Sequence, residues 1–145
     1  MSYESLSLIQ LGLSSALFSL IWFVQILHYP SFLSYSPESF IQAMNFHQRR
    51  ISYLVMPLMI SELLVSGSLA YHGGWINQLN LLIVVTIWIS TYFMQVPIHH
   101  KLLQENSREL IQRLVRTNGI RTGLWTIKLI LTIILSFSLL SASGV

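Results

Sequence analysis

Four stretches of the sequence, residues 6–28, 51–71, 79–98 and 123–140, are each long and apolar enough to cross a bilayer. Roughly 20 mostly apolar residues make one helical crossing. Hydrocarbon offers no partner to a free backbone N–H or C=O, so each stretch is predicted as a helix. The expected fold is all-α, an integral membrane four-helix bundle spanning residues 1–145 as one domain. Composition agrees: 53% of residues are hydrophobic, only 9% are charged, and the mean hydropathy is +0.62. Ordinary soluble domains carry about 25% charge. A disordered chain, a nucleic-acid module and, with no Cys, a disulfide-stapled domain are all excluded. The first stretch does not read as a cleaved leader, because no basic residue precedes it and Met-Ser-Tyr-Glu is acidic.

The loops set the expected orientation. Arg49 and Arg50 lie between the first two stretches. Lys101, Arg108, Arg113, Arg116 and Arg121 lie between the last two, and the short turn at residues 71–78 has neither Lys nor Arg. By the positive-inside rule the long loops are cytoplasmic and both termini are outside, in a multi-pass protein of the inner (plasma) membrane. The sequence pI near 9.5 then reflects topology and anionic headgroups. Tyr71 and Trp75 fall at the outer interface, where amphipathic rings collect. Expected partners are the lipid bilayer, a lipophilic small molecule and, because small bundles commonly self-associate, a second copy of the chain.

The connections carry helix signals. Ser36-Pro37-Glu38 reads as an N-cap, a first-turn proline and an acidic first turn, starting a helix that runs on into the second span. Asn106 with Glu109 resembles a capping box. The helix predicted after it carries Leu110, Ile111, Leu114 and Val115 among three arginines, a pattern suited to the membrane surface or the underside of the bundle. The polar residues also suggest two parallel helix-hairpin repeats. Gln25, His28, His47 and Arg50 in the first half answer to Gln95, His99, Asn118 and Arg121 in the second, and both His-to-Arg separations are 22 residues.

Up-and-down topology brings these residues to one depth. Gln25 and His28, His47 and Arg50, Gln95 and His99, and Asn118, Arg121 and Trp125 each step by three or four residues, which puts each set on one helix face. Such stripes are expected to face the interior, with Tyr29 beside them. Pro30, Pro57 and Pro97 each remove a backbone donor and loosen the helix nearby, which suits a pocket. His72 and His100 read as headgroup-level residues. Glu62 lies near the middle of the second span, with Lys128 as its expected partner. The pair is either a structural lock, or Glu62 and Lys128 line the pocket. His28, His47 and His99 converge from three helices. They either ligate a metal or haem, or act as bases beside Arg50 and Arg121, which would hold an oxyanion that Gln25, Gln95 and Asn118 orient. No cofactor is required by the sequence. Two readings of the cluster follow: an oxidoreductase or oxygenase acting on a flat aromatic or quinone-like substrate, and a non-catalytic subunit or lipid-headgroup binder.

The run Val96-Pro97-Ile98-His99-His100-Lys101-Leu102, then Thr117-Asn118-Gly119-Ile120-Arg121-Thr122 and Trp125, resembles the anthrone-oxygenase-like group of small bacterial four-helix membrane proteins. That resemblance implies cofactor-free oxygenation of an anthrone to an anthraquinone, with His99, Asn118 and Arg121 at the carried-over positions. The layout, with Tyr29-Pro30-Ser31-Phe32-Leu33, Arg49-Arg50-Ile51 and Met56-Pro57, is also similar to HemJ-type protoporphyrinogen oxidase.

Overall fold

The structure is a computed structural model and describes residues 2–142. Among these residues there are four helices long and apolar enough to cross a membrane. They are α1 (Tyr3–Ser34), α2 (Pro37–Tyr71), α3 (Trp75–Leu102) and α4 (Arg108–Ala142). Each neighbour in sequence is a neighbour in space, and α4 returns to pack along α1, so α1 and α3 stand diagonally. The bundle has a basic end, with the α1–α2 and α3–α4 connections, and a Trp75 end, with the α2–α3 turn. Large apolar side chains such as Leu8, Leu64, Phe93 and Phe137 are exposed around it. A water-facing surface rarely tolerates this, whereas a bilayer requires it.

Local chemistry sets the ends. Ser2 Oγ accepts from Ser5 N–H at 3.2 Å and caps α1. Pro37 stands in the first turn of α2, where its missing N–H costs nothing. The turn into α3 uses Gly73 and Gly74, both at positive φ (88° and 89°), where side-chain-bearing residues are strained. All four helices run past the expected spans, α2 and α4 furthest. Both α2 and α4 have 35 residues, about 52 Å of helix against a hydrocarbon core of about 30 Å, so each projects beyond the core.

Two expectations at α4 are corrected. The segment around Leu110–Val115 does not lie along the membrane surface: it packs under the bundle, the other expected place, and continues straight into the fourth span. Ile111 and Leu114 are buried against Phe32, Phe40, Met44 and Leu102, and no Pro interrupts the helix. The cap is Ser107 rather than Asn106: Ser107 Oγ accepts from Leu110 N–H at 3.3 Å.

Helices α1 and α3 share one irregularity. Each contains a π-helical turn, Val24–His28 and Thr91–Gln95. In each, the residue just before a proline bonds five residues back, Tyr29 N–H to Val24 O and Val96 N–H to Thr91 O. A proline ring clashes with the carbonyl four residues earlier. One extra residue in the preceding turn relieves that clash at Pro30 and Pro97.

Two apolar layers organise the interior. One, with Phe32, Phe40, Met44, Leu102 and Ile111, closes the basic end. The other, with Leu17, Ile21, Met59, Ile83, Ile87 and Trp125, crosses the middle. The polar residues fall between and beyond these layers.

Candidate functional site

The π turns decide where the polar side chains of α1 and α3 go. Gln25 and His28 do not share a face, contrary to their three-residue spacing. Gln25 turns to α4: its Nε2 donates to Val115 O at 3.2 Å and its Oε1 accepts from Asn118 Nδ2 at 2.8 Å. Gly119 lies against Gln25 Nε2 and leaves room for it. His28 turns to α2, where its Nε2 is hydrogen-bonded to His47 Nδ1. Tyr29, the next residue, is buried and faces α3. On α3, Gln95 Nε2 donates to Thr117 Oγ1 of α4 at 2.9 Å.

His99 has a defined tautomer. Its Nδ1 lies 2.8 Å from Gln95 O, an atom that can only accept, so Nδ1 carries the proton. Nε2 is then the lone-pair nitrogen, and it accepts from Tyr29 O–H at 3.2 Å. Arg121 is buried and held by Asn118, its Nη1 donating to Asn118 Oδ1 at 3.2 Å. Asn118 therefore links Gln25 to Arg121. Thr122 Oγ1 braces Asn118 from below, donating to its carbonyl at 3.1 Å.

Tyr29, Gln95, His99 and Arg121 meet at one side of a cavity of about 150 Å³. Its other walls are largely apolar, from Leu20, Ile21 and Val24 on α1 to Ile51, Val55 and Met59 on α2. Ser52, Met56 and Val96 also line it and are exposed, so it opens sideways between α2 and α3. Pro57 removes the donor that would bond Tyr53 O, next to this wall. Two buried atoms of the lining residues have no partner, Arg121 Nε and Gln95 Oε1.

Several candidates lie elsewhere. Arg50 is exposed, with its guanidinium 5.5 Å from the Phe46 ring, and does not join the cluster. Trp125 is packed in the middle apolar layer. Glu62 and Lys128 form an ion pair, both fully buried. It lies on the far side of that layer, outside the cavity lining. His28 and His47 sit beside the cavity rather than on it, with His47 stacked on His99 at 5.8 Å between centroids. Among the described residues no three His or acidic side chains are disposed to hold a metal ion. His28 and His47 bond each other and His99 uses both ring nitrogens, so this set does not fit a shared metal. His72 and His100 are exposed.

Sequence reasoning missed Ser52 and Thr91 in the lining and Thr117 and Thr122 as braces. It also missed the buried seam Ser7, Gln10, Ser14 on α1, although steps of three and four mark it. A second groove, lined by Phe93, Pro97, Lys101, Leu110 and Arg113 among others, lies between α3 and α4 at the basic end. No family model matches the sequence, and no curated protein or solved structure matches it either.

Proposed function

We propose that the chain is a multi-pass inner-membrane protein, basic end in the cytoplasm, whose cavity takes a flat lipophilic molecule with an acidic or enolisable oxygen and oxidises it. The observation that carries this reading is the convergence of Tyr29, His99, Gln95 and Arg121 on an apolar, sideways-opening cavity, with Arg121 Nε and Gln95 Oε1 unpaired. A buried donor and a buried acceptor without partners cost stability unless a ligand satisfies them. Arg121 suits an oxyanion, and Gln95 Oε1 suits a hydroxyl. About 150 Å³ holds one aromatic ring, so further rings would rest in the opening beside Met56 and Val96.

The chemistry follows from the His99 tautomer. Nε2 is the basic nitrogen, and the Tyr29 hydroxyl lies between it and the substrate as a proton shuttle. Loss of a C–H or O–H proton leaves an enolate that Arg121 holds. The enolate carbon then forms a C–O bond to dioxygen and, with a proton returned through Tyr29, gives a hydroperoxide; loss of the second C–H proton breaks its O–O bond, releasing water and leaving the new carbonyl. Asn118 is a positioning residue, since it holds Arg121 and does not line the cavity. Resemblance to the anthrone-oxygenase-like group points the same way and names an anthrone as the first substrate to try.

The test is turnover and binding by the purified chain with an anthrone under air. His99→Ala is expected to abolish turnover while binding survives. Arg121→Ala is expected to weaken binding by about 10- to 100-fold, the range for a lost charge-assisted hydrogen bond. Full turnover in both variants would overturn the reading. An absorption spectrum with a Soret band would instead favour haem. A second reading rests on the groove holding Lys101 and Arg113 beside Phe93 and Leu110, cations above apolar atoms. That arrangement suits a phosphodiester headgroup with its acyl chain. Retention of phosphatidylglycerol in native mass spectra, lost in Lys101→Ala and Arg113→Ala, would support it.

A further inference from the structure

The half of the bundle nearer Trp75 is polar inside, and the cavity at the basic end does not account for it. Along α1 the buried positions Ser7, Gln10, Ser14, Leu17 and Ile21 alternate steps of three and four. The first three are polar and the last two belong to the middle apolar layer. Each polar position finds a partner on another helix or in its own. Gln10 Nε2 donates to Ser66 Oγ at 3.1 Å. Ser14 Oγ donates to Glu62 Oε1 at 2.9 Å, and Lys128, paired with Glu62, donates to Ser14 Oγ at 3.2 Å. Positions 10 and 14, and 66 and 62, are one helical turn apart, so these are stacked layers. On α3, Asn77 Nδ2 donates to Tyr3 Oη at 3.0 Å and to Gly73 O at 2.7 Å. Asn80 lies one turn further in and is fully buried.

This half holds polar atoms that the protein leaves unmatched. Among the described residues, Gln10 Oε1, Glu62 Oε2, Asn77 Oδ1 and both amide atoms of Asn80 are buried without a partner. Four of the five accept hydrogen bonds. The Asn77 amide cannot be turned round, because Gly73 O only accepts. Lys128 has three protons and two partners, which leaves one to give. An anion does not suit a surplus of acceptors. A cation would unbalance a centre that Glu62 and Lys128 already neutralise. Water donates, accepts and is neutral, and a buried water makes about three such bonds.

We propose that water occupies this half of the bundle and forms a proton-exchange path from the Trp75 end to the Glu62–Lys128 pair. The path starts beside Tyr3 and Asn77, passes Asn80 and Gln10, and stops at the middle apolar layer. It therefore opens to the side of the membrane opposite the basic end and does not reach the cavity. In the elementary step a Lys128 Nζ–H bond breaks and a water of the path takes the proton as hydronium, leaving a neutral amine beside Glu62. In the reverse step a hydronium O–H bond breaks and the Nζ–H bond re-forms with a solvent proton, so the ammonium exchanges its hydrogens. Lys128 on α4 and Tyr3 on α1 are the titratable groups facing Glu62 along this path. On α3 the facing side chains are the amides of Asn77 and Asn80, and His72 packs edge-on against Tyr3 at the mouth.

Lys101 and Lys128 are the only lysines, so isotope-labelled lysine gives two ammonium signals in the detergent-solubilised full chain. Lys101→Arg identifies them. After transfer to heavy water, the Lys128 protons are expected to exchange within minutes. Asn80→Leu, which puts apolar atoms in the path, is expected to slow exchange about tenfold or more, toward the rate set by opening of the bundle. Where Asn80→Leu does not fold, Gln10→Leu carries the same test. Lys128 protons that persist for hours in the wild-type chain would overturn the proposal. So would a rate that these variants leave unchanged, or one slowed instead by Ser52→Phe in the opposite cavity.

Discussion

His47 and Arg50 stand eleven and fourteen residues beyond Ser36, just as Asn118 and Arg121 stand eleven and fourteen beyond Ser107. The two helices use these matched positions in opposite ways. On α4, Arg121 is buried, held by Asn118, and Asn118 is held by Gln25 of α1. On α2, His47 is buried against His28, but Arg50 is exposed over Phe46. The difference comes from what each helix packs against. At this level α4 is gripped by both α1 and α3, while the cavity separates α2 from α3. An arginine at the same spacing has an interior to enter in one half and only a surface in the other.

Variants that strain this asymmetry should rank by how much buried polarity they leave unpaired. The largest effect is expected where the halves are joined by charge. Lys128→Met leaves the Glu62 carboxylate alone in the bundle and should cost about 3–5 kcal/mol in reversible denaturation from detergent. Glu62→Gln in the same chain should recover most of that loss. Next comes Arg121→Leu, which keeps bulk but frees Asn118 Oδ1, at about 1–3 kcal/mol. Asn118→Leu should cost a similar or slightly smaller amount. It would also weaken any ligand held by Arg121, so comparing binding with stability separates positioning from scaffold. Arg50→Ala is expected to change stability by less than about 1 kcal/mol, the worth of an exposed cation–π contact. A large Arg50→Ala effect would mean that the halves are more alike than their burial suggests.

Much of the fold was legible because it depends on long apolar runs, and backbone in hydrocarbon has few choices. The Glu62–Lys128 pair was legible for the same reason, since a lone charge there is too costly to leave. The continuity of α4 was not legible. Arginines among Leu110, Ile111 and Leu114 look like a surface helix until α2 and α3 supply the apolar layer that buries Ile111 and Leu114. The fate of Gln25 and His28 was hidden too. Spacing rules assume a regular helix, and the π turn between them sends one toward α4 and the other toward α2. The prolines that mark both π turns were visible, but their effect on direction was not. Arg50 and Arg121 are indistinguishable by spacing, and only the neighbouring helices separate them.

The π turns also make the chain's length near its basic end consequential. Each stores one surplus residue, and an α-helix advances about 100° per residue. Deleting Ile26 would return Val24–His28 to ordinary winding, with Tyr29 N–H still reaching Val24 O, now four residues on, so everything beyond it would keep its direction. Deleting Leu27 as well would exhaust the surplus and swing everything beyond by that angle, taking His28 from His47 and Tyr29 from His99. One codon lost there is expected to be absorbed and two to dismantle the cavity wall, with the Trp75 half spared in both.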